Sequence, residues 1–141
     1  MSTTKILFIC RGGVFRSRLA QAYAVSVLTA RKDSSTEVIS SGIEADEDAS
    51  ITISPWATRV LERAKLSQFV QVEKLQTTQK LIDDSTTLVF LNQDIYRDAR
   101  TRFEIAPDKT RVWLVPDIEE TEADEYEIFE KIKQSVDYLL S

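Results

Sequence analysis

Histidine is absent from this chain of 141 residues, and cysteine occurs once, at Cys10. The first absence removes histidine-based acid–base catalysis, Ser–His and Cys–His pairs and most zinc sites. The second excludes an intrachain disulfide. Any catalysis must run on Cys, Asp, Glu, Arg, Lys, Tyr or Ser. No apolar run approaches the ~20 residues needed to span a bilayer. Met1 to Lys5 leads straight into a short apolar stretch, without the apolar core and cleavage site of a secretory leader. A cytoplasmic location away from membranes is therefore expected. Basic surplus is missing too: the net charge is −5, which argues against nucleic acid as a partner. Eight acidic residues and no basic one lie between Asp117 and Glu130, a pattern expected of a solvated face near a helix N-terminus.

What is present reads as one domain spanning 1–141, long enough to bury a core. Lys5–Ile9 is a continuous apolar run, as in a strand buried on both faces. A helix is expected over 17–31, a strand over 36–41, and a helix from Ser54-Pro55, a capping serine with proline at the first helical position. Phe69 to Val72 reads as a short strand and Thr77 to Ile82 as a short helix. Thr86–Leu91 reads as a strand, followed by a helix from Asn92 to about Phe103. Thr110–Val115 reads as the last strand and Ala123–Leu140 as a long amphipathic helix. This alternation implies an α/β fold with a parallel sheet between helices. In such sheets ligands bind beyond the carboxyl ends of the strands, which puts Cys10 and Asp117 on one side.

Two of the chain's three glycines, Gly12 and Gly13, stand two and three residues after Cys10. A strand-to-helix loop with adjacent glycines lets backbone N–H groups turn inward around an anion, and the helix N-terminus near Arg16 adds positive potential. A thiol in such a place is favoured as thiolate. Ser17 can donate to the sulfur, and the planar fork of Arg16 matches two phosphoryl oxygens. A lone cysteine after an apolar strand is more often a core residue, and Pro-Asp before a helix is a common turn. It is the conjunction of strand, Gly-Gly, Arg-Ser and helix that points to chemistry.

The segment Cys10-Arg11-Gly12-Gly13-Val14-Phe15-Arg16-Ser17 resembles the signature of the low-molecular-weight protein tyrosine phosphatases, Cys-x-Gly-Asn-x-Cys-Arg-Ser-Pro. Ser40-Ser41-Gly42 resembles that family's Ser-Ala-Gly, and Val115-Pro116-Asp117 sits where the family has its Asp-Pro turn. The resemblance implies a flavodoxin-like three-layer sandwich, with a four-stranded parallel sheet in the order 2-1-3-4 and helices on both faces. It implies a cysteine-dependent phosphomonoesterase: Cys10 attacks phosphorus to form a phosphocysteine, Asp117 serves as acid and then base, and Ser17 assists the sulfur. Arg16 and the loop of Arg11, Gly12, Gly13, Val14 and Phe15 would bind phosphate, with Ser40 as loop support. No cofactor or metal is called for. The expected partner is a phosphorylated protein or a small phosphomonoester, acted on by a monomer or weak dimer.

Several residues depart from the pattern. Gly13 stands for the Asn that braces the loop, Phe15 for the second Cys, Arg18 for Pro, and Ile118 for the Pro after the acid. Arg11 occupies a position that commonly lines the pocket mouth with an apolar side chain. The tyrosines that often wall the pocket are missing, with Tyr126 or Trp56 as unplaced substitutes. Related phosphoarginine phosphatases tend to have Thr where this chain has Val14, which favours phosphotyrosine. Two alternatives stay open: a phosphate- or phosphoprotein-binding module that has lost turnover, and arsenate reduction, although that branch relays oxidation through further cysteines that are absent here.

Overall fold

The run that is apolar on both faces becomes the central strand. In the computed structural model, which describes residues 3–141, β1 (Thr4–Cys10) lies between β2 (Thr36–Gly42) and β3 (Thr87–Phe90), with β4 (Thr110–Val112) outermost. All pairings are parallel and the order is β2-β1-β3-β4, as the resemblance implied. Residues 6–9 of β1 are buried throughout, because helices cover both faces of a parallel sheet. The register sets Phe8 beside Ser40 and Cys10 beside Gly42.

Five helices connect and flank the strands: α1 (Arg16–Ala30), α2 (Pro55–Ala64), α3 (Gln79–Asp84), α4 (Gln93–Arg102) and α5 (Glu125–Leu139). Ser54 Oγ accepts from the Ala57 N–H, so the Ser-Pro start of α2 works as a cap. Asn92 likewise caps α4 through its side chain. Helices α1, α2 and α5 pack on one another, and α3 and α4 lie against β1 and β3. Among the described residues, no helix is long and apolar enough to cross a membrane.

One expected element is absent. Residues 69–72 are not a strand. The Gln71 side chain replaces a backbone ladder there: its Oε1 accepts from Ser40 N at 2.8 Å and its Nε2 donates to Ser40 O at 2.9 Å. The last strand is also shorter than expected, ending at Val112, although Trp113 N and Val115 N still donate to Phe90 O and Leu91 O.

Candidate active site

The loop from Cys10 to α1 is shaped by where its carbonyls go. Cys10 O accepts from Ile43 N at 3.0 Å, Arg11 O from Glu44 N at 2.8 Å, and Val14 O from Ser54 N at 3.0 Å. Gly13 O accepts from Arg18 Nη1 at 3.3 Å. Across a trans peptide plane, C=O and N–H point in opposite directions. Carbonyls tied outward therefore turn the N–H groups of Arg11, Gly12, Val14 and Phe15 inward, into one concavity suited to an anion. Gly13 makes the turn at φ +69°, a backbone conformation that side chains with Cβ rarely adopt. The loop also rides on β2: a Cβ on Gly13 would stand 2.9 Å from Gly42 N. All three glycines of the chain meet here. The two other left-handed positions among the described residues are filled by lysines, Lys32 and Lys65.

Cys10, 3% exposed, sits at the bottom of this concavity. Its Sγ accepts from Gly13 N at 3.2 Å and lies 3.0 Å from Ser17 Oγ. Ser40 Oγ donates to Ser17 Oγ at 2.7 Å. That bond leaves the Ser17 proton free to point at sulfur, so Ser40, Ser17 and Cys10 form a directed chain of donors. The Ser40 hydroxyl thus meets Ser17 and not residue 13. Arg16, 4% exposed, anchors Nη1 on Val115 O at 2.9 Å and sets Nη2 3.6 Å from Asp117 Oδ2. Asp117 is both a turn residue and part of the cleft wall. Its Oδ1 accepts from Ile118 N at 2.7 Å as a cap, while the carboxylate lines the same cleft as Cys10.

Residues 5–140 match the family of low molecular weight phosphotyrosine protein phosphatases. The chain belongs to this family. It is thus a hydrolase of the phosphatase class. Among solved structures, it is similar to YfkJ from Bacillus subtilis, with TM-score 0.81 and 19% identity over 99% of this chain and 94% of that one. It is similar to Wzb from Vibrio vulnificus in complex with benzylphosphonate, with TM-score 0.71 and 20% identity over 96% of each chain. A thioredoxin-dependent arsenate reductase from Corynebacterium glutamicum shares the fold at TM-score 0.67 and 22% identity, over 98% of this chain and 60% of that one. No curated protein sequence matches.

The departures of this low-molecular-weight phosphatase now have physical contexts. The Arg11 side chain, where an apolar one is usual, turns its guanidinium onto acidic partners. Nη1 meets Glu44 at 3.3 Å, and Nη2 meets Asp94 at 3.0 Å and Asp98 at 2.9 Å. Burial opposes that charge, but hydrogen bonds to Asp94 and Asp98 and the field of Glu44 outweigh it and raise its pKa. What Arg11 offers the concavity is backbone. Phe15, in place of the second Cys, is buried and packs on Trp56 with ring centroids 6.0 Å apart. Trp56, Ile51 and Arg59 line the cleft of about 600 Å³ above Cys10. Tyr126 lies elsewhere, under Arg63 at 4.4 Å. Of the two substitutes that the sequence left unplaced, Trp56, in the first turn of α2, is therefore the one that lines the cleft.

Proposed function

We propose that this chain hydrolyses phosphomonoesters, with phosphotyrosine-like aryl esters as the preferred class, using Cys10 as nucleophile. The observation that carries the reading is the donor chain Ser40–Ser17–Cys10 at the floor of a cleft that also holds Arg16 and Asp117. Cys10 thiolate attacks phosphorus, the bond to the leaving oxygen breaks, and Asp117 delivers its proton to that oxygen. Asp117 carboxylate then takes a proton from water, which attacks the phosphocysteine and releases phosphate and the thiolate. Ser17 stabilises the departing sulfur. Arg16 and the inward N–H groups of Arg11, Gly12, Val14 and Phe15 hold the equatorial oxygens throughout. Trp56, Phe15 and Ile51 offer an apolar surface for an aromatic leaving group. The whole of 1–141 is read as one such domain, working as a monomer or weak dimer in the cytoplasm.

Hydrolysis of para-nitrophenyl phosphate tests the reading. Cys10→Ser should abolish turnover while retaining vanadate binding, and Asp117→Ala should slow turnover by about 10²–10⁴-fold. Full activity in Cys10→Ser would overturn the nucleophile assignment. A wild type that binds vanadate without turnover would support a binding module instead. Arsenate reduction finds no support in the residues, since no second cysteine exists to take over the oxidation.

A further inference from the structure

Arg18 is the largest fully buried side chain, 1% exposed. It stands one residue beyond the Arg-Ser of the signature, where the family carries proline. Its guanidinium donates to Gly13 O at 3.3 Å, Thr52 O at 2.8 Å and Val72 O at 3.3 Å, and also to Gln71 O. Its Nε is buried and has no partner. Among the described residues, no carboxylate pairs with it. Burial lowers its pKa, and the charge of Cys10 is what opposes that shift. Arginine does not give up its proton at working pH. A buried charge met only by carbonyl dipoles is costly unless an anion compensates.

We propose that Arg18 is a positioning residue that braces the loop from beneath and supplies the buried positive charge that favours Cys10 as thiolate and an oxyanion above it. The bond to Gly13 O holds that carbonyl outward and so aims the Val14 N–H, across the same peptide plane, into the concavity. This does the work of the absent Asn by another route. The bonds to Thr52, Gln71 and Val72 tie the loop to two further segments. The other charged groups lining the cleft with Cys10 are Arg16 on α1, Asp117 and Glu119 after β4, Arg59 on α2, which is paired with Glu125, and Arg11 on the loop, whose charge is matched by Glu44, Asp94 and Asp98. β2 contributes only the neutral Ser40 and Ser41 at this level. Arg18 is thus the guanidinium beneath the loop that lacks a carboxylate.

The inference rests on Cys10 acting as thiolate, and it is tested without turnover. Cys10 is the only thiol, so iodoacetamide alkylation followed by intact mass as a function of pH reads it alone. In Arg18→Gln, the pH of half-maximal alkylation should rise by about one unit, and inorganic phosphate should bind roughly tenfold more weakly by calorimetry. Arg18→Lys keeps the charge but not the fork, so its alkylation midpoint should stay near wild type while phosphate binding weakens. A residue with a merely structural role would lower the melting temperature and leave the midpoint in place. A folded Arg18→Gln with the wild-type midpoint overturns the proposal. If that variant does not fold, Arg18→Lys decides: a retained midpoint supports the proposal, and one raised by about a unit overturns it. A wild type that binds phosphate without hydrolysing it would defeat the proposed function and leave this inference standing.

Discussion

Helices α1 and α5 are each 15 residues long and pack against each other, yet their N-termini are opposites. α5 begins with a complete capping box, Asp124 accepting from Glu127 N and Glu127 reaching back to Asp124 N, with Glu125 and Glu127 in its first turn. α1 has Phe15 at its N-cap position, with no side-chain cap and no acid in its first turn. The interiors differ in the same sense. The buried residues of α5 are Ile128, Phe129, Ile132 and Val136, whereas α1 buries Arg16, Ser17, Arg18 and Gln21 among its apolar residues. A helix start needs acceptors for its first N–H groups, and α5 finds them in its own chain. α1 leaves them unsupplied at the point where its positive end faces Cys10, so the acceptor has to come from outside. The local rule that α5 obeys is broken at the start of α1, beside the concavity that holds Cys10.

That contrast can be broken most severely at Gly42. A methyl group there would collide with Gly13 N, and it would stand 2.5 Å from Gly12 C and 2.7 Å from Arg11 O, all of them backbone. Gly42→Ala must displace the loop that makes the open end of α1. It should reduce aryl phosphate turnover by about 10²-fold and lower stability by about 1–3 kcal/mol. Wild-type kcat/KM in this variant would show that the loop's seat on β2 is irrelevant to activity.

The loop itself was legible because its residues are consecutive: strand, Cys10, Gly-Gly and Arg16-Ser17 stand within one short segment. β1 was legible for a related reason, since burial on both faces writes an unbroken apolar run. What could not be read depends on residues distant in the chain. Arg11 is satisfied by Glu44 and Asp94, 33 and 83 positions away, so the pairing of its guanidinium left no local trace. Trp56 reaches the cleft only because α2 packs beside α1. Residues 69–72 carry strand-forming side chains, but Gln71 meets Ser40 with its amide, and the Gln71 and Val72 carbonyls turn to Arg18. No periodicity encodes that choice.

The closed end should respond differently. Asp124→Ala removes the acceptor for Glu127 N, a bond of 2.9 Å. It should cost about 1 kcal/mol of stability and leave kcat and KM unchanged, as read by urea unfolding and steady-state kinetics. A fall in activity matching that of Gly42→Ala would erase the functional distinction between the two helix starts.

The smallest expected effect lies where the helices meet at mid-length. Tyr23 of α1 donates its hydroxyl to Asp137 Oδ1 at 2.7 Å and packs edge-on against Phe129. Burial, then the hydrogen bond to Asp137 and the negative field of Asp137 and Glu130, push its pKa up to about 12. An unfolded tyrosine ionises near pH ~10, so folding favours the protonated phenol. The stability this contributes is fully present below the unfolded pKa and is lost as pH rises from about 10 to about 12. Because Tyr23 is only partly buried, solvent screening keeps the effect small. Urea midpoints of wild type should therefore fall more steeply than those of Tyr23→Phe across that alkaline window, with the two curves parallel below it. Curves that stay parallel throughout would mean that the contact between α1 and α5 rests on apolar packing alone, independent of the charge on Asp137.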